Sequence, residues 1–552
     1  MPDILELVTS SEKNTFVGLA GPGTGKSFSF KRIVKSNEFK NKRILVLSFI
    51  NKLIDDLKID FEEFSNVEVS TLHSFAMQEY SKRTKNKVEL DESLDKIISA
   101  DYSLINTEGY DFEKALHSGA LADDKIEFYK NRAKYYGNDE QVFSFNSIIY
   151  SINKLFSDDN ALIPSAYDLV LVDEFQDFNQ LEWNFIKLLN LKNKVVIVGD
   201  DDQSLYGWKS AEPQLIRDLY NDPTTDEFSL DNCYRCTEVI VNAVNDLIKN
   251  AKGKKLLLGR IDAKKFLYPN PRADGKDEIS KKYNKIDFLP SVSGGQLFYQ
   301  VATRIKKDVG AEGNKKRVLV LVPPYFKQNM YEGLVKEGLN VVGFELFSDE
   351  KHRTLKHRHI IESFRTLEAR KTDNLSICKV IHLYMDKKAQ KALIESSHQT
   401  NKKLWNCMDT TIQRKLELDI ALMKKVRRGK DKLTSAELKR LNEILNLKNL
   451  LSKLLNGFDA HTRNAIEVEI TTVMSSKGLS ADFVYYVGVD NDCVFDYETK
   501  SLTTQSICEF LVGITRAKEK LTLISFKDKN PAVIELISDQ VRLVTLPSKL
   551  AR

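Results

Sequence analysis

Short, continuous apolar runs recur along the chain and read as strands of a buried parallel sheet. Thr15-Phe16-Val17-Gly18-Leu19 comes first, then Leu169 to Val172, then Val195-Val196-Ile197-Val198. Arg317-Val318-Leu319-Val320-Leu321-Val322 is another, stopped by Pro323-Pro324. Glu467-Val468-Glu469-Ile470 alternates, and Lys520 to Ser525 ends the series. Phe28 to Val34 is instead apolar at helical spacing. Residues 81–145 and 373–463 are helix-prone, as in Leu441 to Leu455, and residues 250–290, rich in Lys, Gly, Asp and Pro, read as a mobile loop region. The pattern predicts an α/β protein with two helical interruptions and no internal repeat.

The chemistry gathers where these runs end. After the first strand stands Ala20-Gly21-Pro22-Gly23-Thr24-Gly25-Lys26-Ser27. It fits G-x-x-x-x-G-K-[ST] with Ala in the first glycine place, between a strand and a helix start as this motif requires. Glycines let backbone N–H groups converge on phosphate oxygens, and the helix start adds partial positive charge. Lys26 reaches the β and γ oxygens, and Ser27 suits Mg²⁺. The second strand ends in Asp173-Glu174, the first suited to a magnesium shell and the second to polarising an attacking water. Together these residues predict an ATPase. The third strand runs into Gly199-Asp200-Asp201-Asp202-Gln203-Ser204-Leu205-Tyr206-Gly207-Trp208. Gln203 could sense a γ-phosphate. Tyr206 and Trp208 offer either flat faces for unstacked bases or ordinary core packing.

Length and charge narrow the class. A chain of 552 residues holds two to four domains. No apolar run reaches the roughly 18 residues that span a bilayer, and no signal peptide opens the chain, so no membrane partner is expected. Six cysteines are too few for a disulfide framework at this length and fit a reducing cytoplasm. Cys233-x-x-Cys236 lacks a second ligand pair, so zinc is not expected. His352, His357 and His359 read as part of a solvated basic stretch. The net charge of +5 is uneven: residues 373–463 carry 19 Lys+Arg against 10 Asp+Glu, and the remainder 64 against 68. The dense run Lys424-Lys425-Val426-Arg427-Arg428-Gly429-Lys430 is either a phosphate-backbone contact or a solvated helical face.

In their order, these segments resemble the motifs of the UvrD/Rep branch of superfamily 1 helicases, in a compact form. Ala20 to Ser27 resembles motif I; Ile44 to Lys52 and Ser70-Thr71-Leu72-His73-Ser74-Phe75 resemble the two motifs that follow. Asp173-Glu174-Phe175-Gln176-Asp177 resembles motif II, Gly199 to Trp208 motif III, and Leu230 to Cys236 motif IV. Thr472 to Leu479 resembles motif V and Val512 to Lys518 motif VI. The resemblance implies two RecA-like P-loop cores of parallel sheets flanked by helices, each with a mainly helical inserted domain. The first core would comprise 1–80 and 146–229 around an insert at 81–145. The second would comprise 230–372 and 464–552 around a basic insert at 373–463.

Carried over residue by residue, the resemblance implies that Gly21, Gly23, Thr24, Gly25, Lys26 and Ser27 cradle ATP and that Ser27 and Asp173 hold Mg²⁺. Glu174 would activate water, Gln203 would read the γ-phosphate, and Arg235 and Arg516 would be arginine fingers from the second core. Tyr234 would stack on adenine. Phe49, Asn51, Thr71, His73, Tyr206 and Trp208 would meet nucleic acid, with Phe49, Tyr206 and Trp208 stacking on bases. The expected partner is single-stranded DNA, or DNA with a 3′ single-stranded region, and the expected activity is ATP-driven 3′ to 5′ translocation and unwinding. An alternative is a DNA-stimulated ATPase acting as a DNA-end sensor or as regulator of a partner nuclease in repair or phage defence. A simple P-loop kinase would not need Tyr206, Trp208 or two distal arginines, and an inactive scaffold would not need Lys26, Glu174, Gln203, Arg235 and Arg516 intact.

The family pattern is broken in four places. No Gln precedes Gln78, Phe28 stands near a family arginine's place, Met474 replaces a histidine, and Ser480 replaces an acid. The first two predict relaxed nucleotide choice. The last two weaken the expected ribose contact and the link between nucleotide and DNA.

Overall fold

The computed structural model describes residues 4–48, 57–106, 108–119, 121–137, 141–205, 211–272, 274–292, 294–310, 316–342, 355–428, 433–445 and 466–544. The strands in chain order are β1 (Thr15–Ala20), β2 (Ile44–Ser48), β3 (Val67–Thr71), β4 (Val88–Leu90), β5 (Gln141–Phe143), β6 (Leu169–Val172), β7 (Lys194–Gly199) and β8 (Asp226–Leu230). They continue with β9 (Ile286–Leu289), β10 (Val318–Leu321), β11 (Asn340–Val342), β12 (Glu467–Thr471), β13 (Ala481–Val487), β14 (Ala517–Ile524) and β15 (Val541–Leu543).

Two parallel sheets form. The first has the order β3-β2-β6-β7-β1-β8 and the second β11-β12-β10-β13-β14-β9-β15. The apolar runs lie where expected because both faces of each sheet are covered. All of β2 and β6 is buried, and Phe16, Ile33, Leu171 and Val196 share one core with the helix Lys26–Lys35. Val301, Val320, Ile470 and Tyr485 anchor a core against the second sheet. Each such aliphatic side chain contributes about 1.5–3 kcal/mol on burial. In the first sheet β1 lies between β7 and β8, and β6 between β2 and β7. The carboxyl ends of β1, β6 and β7 therefore open side by side, where an open α/β sheet receives ligands.

The described residues fall into two compact units. Met1–Ser74, Asp159–Phe344 and Thr462–Arg552 form the first and contain both sheets. Phe75–Asp158 and Glu345–His461 form the second, a helical body with a parallel β4–β5 pair. The two inserts share its core: Leu94, Ile98 and Phe112 belong to one buried cluster with Leu375, Ile377 and Leu416. Polar contacts join them too, with Asn374 Nδ2 donating to Tyr135 O at 3.0 Å and His359 Nε2 lying 2.9 Å from Glu92 Oε1. The pairing of His359 corrects its reading as part of a solvated stretch. The helix Leu355–Ala369 also groups with this unit rather than with the second sheet. The second half of the expected helix Leu441 to Leu455 lies outside the described residues, and Ser435–Leu445 forms its helical start.

Residues 250–290 are not the mobile loop their composition suggested. They include the helix Lys276–Lys282 and strand β9, and Lys264 is only 7% exposed. Their charges are spent internally: Tyr268 Oη donates to Asp277 Oδ1 at 2.7 Å, and Lys264 pairs with three aspartates. Composition reports polarity but not where a charge finds its partner. Among the described residues, no helix is long and apolar enough to cross a membrane.

Candidate nucleotide site

The glycine-rich loop leaves β1 and enters the helix Lys26–Lys35. Gly23 and Gly25 have φ of 72° and 93°, the left-handed region that a side chain disfavours. Thr24 is buried and folds back, its Oγ1 donating to Gly21 O at 2.9 Å. This shape turns the loop toward the helix N-terminus, with Lys26 and Ser27 in the first helical turn.

Asp173-Glu174 follows β6 directly, and Glu174 itself sits at φ 54°. A non-glycine residue held there carries backbone strain of the kind that clusters at working sites. Lys26 Nζ lies 2.8 Å from Glu174 Oε1, and Gln176 Nε2 donates to Glu174 Oε2 at 2.6 Å. Burial would raise the Glu174 carboxyl, but the charges of Lys26 and Lys477 outweigh it and hold the group well below the usual carboxylate range. Burial, then the neighbouring Glu174 charge, pushes the Asp173 carboxyl up to about 6. The buried Asp173 carboxylate and the Ser27 hydroxyl at the helix start are hard-oxygen donors of the kind Mg²⁺ takes.

The turn that follows β8 and the second sheet together supply the other wall. Tyr234 N donates to Gly23 O at 2.9 Å, which seats the Tyr234-Arg235 pair on the glycine loop. Tyr234 is 56% exposed, with the Arg272 guanidinium 5.8 Å from its ring centroid. Arg516, which precedes β14, is 2% exposed. Its Nη1 donates to Leu479 O at 3.1 Å, and its Nη2 reaches Gln203 Oε1 at 3.4 Å. Burial, with the like charge of Arg235, lowers the Arg516 pKa to about 9. Such a guanidinium gains from an anion placed before it.

Comparison with known proteins fits this arrangement. The UvrD/REP helicase N-terminal domain matches residues 77–224, and the UvrD-like helicase C-terminal domain matches residues 344–528. The chain belongs to the UvrD/Rep-like helicase family. A probable DNA helicase II homolog of Mycoplasma capricolum is 23% identical over 92% of this chain and 82% of that protein. One from Mycoplasma genitalium is 30% identical over 38% of this chain and 30% of its own length. The ATP-dependent DNA helicase PcrA of Staphylococcus aureus is 22% identical over 66% of this chain and 53% of its own.

The UvrD-like residues expected to meet nucleic acid are unevenly placed. Phe49, Asn51, Tyr206 and Trp208 lie outside the described residues. Thr71 ends β3, and its Oγ1 accepts from Ser74 N at 3.0 Å, so it shapes the following helix. His73 Nε2 lies 3.4 Å from Glu182 Oε1. The dense basic run is largely paired within the protein: Lys424 and Arg427 with Glu368, Lys425 with Glu437. That favours a helical face over a phosphate track. All six cysteines are free thiols. Cys233 and Cys236 flank Tyr234-Arg235, their thiols donating to Pro22 O at 3.3 Å and Thr515 O at 3.8 Å.

Sequence reasoning missed three residues of this site. Lys477 Nζ pairs with Asp177 and donates to Gln203 O at 2.9 Å, joining the two sheets. Arg272 donates to Tyr234 O at 2.7 Å. Lys264 binds Asp200, Asp201 and Asp202. Lys477 stands inside the motif V stretch, a signal that was available. Arg272 and Lys264 carried none, because they lie in a segment that reads as loop.

Proposed function

We propose that the protein is an ATP-dependent translocase and helicase on single-stranded DNA, moving 3′ to 5′, in which nucleotide-driven closure of two RecA-like cores moves the strand. The observation that carries this reading is the composite pocket. Lys26 and Glu174 come from the first sheet, while Arg516 faces Gln203 from the second. A transferring phosphoryl group spreads negative charge over its oxygens, and guanidiniums fixed in a dry pocket stabilise that charge.

Lys26 holds Glu174 in this state. An incoming triphosphate competes for Lys26, so Glu174 is released as Lys26 turns to the phosphate oxygens. The freed carboxylate then orients the attacking water. Gln203 reads the terminal phosphate, and Arg235 and Arg516 offset its developing charge. Mg²⁺, held by Ser27 and Asp173, would screen the phosphate oxygens. Gly21, Gly23, Thr24 and Gly25 cradle the chain of phosphates, and Tyr234 stacks on the base. Phe49, Asn51, Thr71, His73, Tyr206 and Trp208 form the strand-binding side of the reading, and the cytoplasm is its place of action.

The compact helical unit favours one second reading: a DNA-stimulated ATPase that senses DNA ends or governs a partner nuclease, since strand separation draws on accessory surface. Unwinding of a forked duplex with a 3′ tail, measured beside DNA-stimulated ATP hydrolysis, separates the two. Both activities support the helicase. Hydrolysis without unwinding supports the sensor. Hydrolysis indifferent to DNA overturns both.

A further inference from the structure

Asp200, Asp201 and Asp202 place their ligand atoms within 4.8 Å of one another, all buried, a grouping that could hold a metal ion. The Lys264 ammonium fills it instead. Its Nζ lies 2.5 Å from Asp200 Oδ1, 2.6 Å from Asp201 Oδ1 and 2.6 Å from Asp202 Oδ2. Arg217 Nε pairs with Asp201 Oδ2 at 3.0 Å and Arg260 Nε with Asp202 Oδ2 at 2.9 Å. Three acids thus meet three bases, and removing one base leaves a net buried negative charge, a costly state.

Asp200 has a second task. Its Oδ2 accepts from Gln203 Nε2 at 2.5 Å. That bond takes one of the two Nε2 hydrogens and turns Gln203 Oε1 to Arg516, leaving the second hydrogen as the donor for a phosphate oxygen. Asp200 is itself pinned by Lys264 through its other oxygen.

The segment around Lys264 touches the other walls of the site. Leu267 makes two backbone bonds to the motif IV stretch, Cys233 N to Leu267 O at 2.8 Å and Leu267 N to Asp231 O at 2.9 Å. A Cβ on Gly21 would come within 3.0 Å of the Phe266 ring. Lys264, Phe266 and Leu267 thereby tie the glycine loop, the Gln203 turn and the Arg235 turn together.

We propose that Lys264 is a positioning residue for ATP hydrolysis, holding Asp200 so that Gln203 presents its carboxamide to the terminal phosphate and to Arg516. This rests on the reading of Gln203 as the γ-phosphate sensor. Burial disfavours the charged ammonium, but the charges of Asp200, Asp202 and Asp201 outweigh it and raise its pKa, so Lys264 stays charged throughout the physiological range.

The test uses the full chain with Lys264→Met, Gln203→Ala and the double variant, and reads two quantities. One is DNA-stimulated kcat and KM for ATP. The other is the ratio of affinities for a non-hydrolysable ATP analogue and for ADP, which differ by the terminal phosphate. Loss of positioning should lower kcat by roughly 10- to 100-fold. Lys264→Met should lower the triphosphate preference by the same factor as Gln203→Ala, and the double variant should lose no more than Gln203→Ala alone. Lys264→Arg should restore part of it. Equal loss of both affinities, or additive losses in the double variant, overturns the proposal while leaving Gln203 as the sensor. An unchanged preference in Gln203→Ala overturns the sensor reading and the proposal with it. If Lys264→Met does not fold, combining it with Asp202→Asn removes the same tie with two acids still facing two bases, and faces the same two outcomes.

Discussion

The backbone N–H of Tyr234 donates to the carbonyl of Gly23 at 2.9 Å, so one turn of the motif IV stretch is hung on the phosphate loop. The contact leaves no room for a side chain: a Cβ on Gly23 would lie 2.3 Å from Arg235 Cβ, at a φ of 72° that already disfavours one. Gly23→Ala should displace Arg235 and lower DNA-stimulated ATP hydrolysis by about 100-fold or more, the scale of losing one transition-state donor. Steady-state ATPase assays beside thermal unfolding check this. Wild-type turnover in a folded Gly23→Ala variant would refute the tie.

Glu174 is both the resting partner of Lys26 and the proposed orienter of water. Glu174→Gln should therefore split binding from turnover. Lys26 no longer has to leave a full negative charge, so affinity for ATP holds or rises, while kcat falls by about 100-fold or more. Equilibrium binding of a fluorescent nucleotide and single-turnover hydrolysis separate the two. A fall in affinity with kcat intact would reverse the assignment.

Asp177 carries a pH signature. Burial pushes its carboxyl up to about 6, against the Lys477 charge that pulls it down. Its Oδ1 has no hydrogen-bond partner among the described residues, while Oδ2 takes Lys477. The folded protein then keeps a proton that the unfolded chain releases near pH 4. Stability from this group is greatest at low pH and is lost as pH rises through about 6. Between pH 4.5 and 7 the wild type should lose about 1–3 kcal/mol more than Asp177→Asn. Urea midpoints at both values check this, and parallel pH profiles would count against it.

Nucleotide choice should be relaxed, since no Gln precedes Gln78 and Phe28 stands 66% exposed beside the loop. ATP, GTP and CTP hydrolysed at equal concentration should differ by less than about tenfold, the scale of one missing contact. Strict preference for ATP would show that other groups read the base.

The basic run makes a fifth case. Lys424 and Arg427 serve Glu368, and Lys425 serves Glu437. Changing Lys424 and Arg427 to Glu should leave the affinity for single-stranded DNA and its salt slope nearly unchanged, because phosphate contacts set that slope. A slope reduced by about one or two would place the run on the DNA.

What could be read from the chain was whatever depends on neighbours in sequence. Leu169 to Val172 had to be a buried strand because no polar residue interrupts it, and Lys26 had to start a helix because Gly25 and the apolar spacing after it allow little else. Adjacent residues fix such elements through backbone sterics and side-chain periodicity. Pairings across long stretches were not readable. Nothing local distinguishes Lys264 from Lys265, yet one neutralises a triple carboxylate 62 or more positions away in the chain. Nor does composition show that Leu94 and Leu375 share a core, joining two inserts that look separate in sequence.

The sequence by itself determined the phosphate loop, the carboxylate pair, the order of the motifs and the two parallel sheets. Only the tertiary structure decided which charges meet: Lys26 with Glu174, Lys477 with Asp177, Arg516 with Gln203, Lys264 with Asp200. The reason is range. Helix and strand preferences act over a few residues, whereas a buried charge settles with whichever partner the packed core brings within a few ångströms.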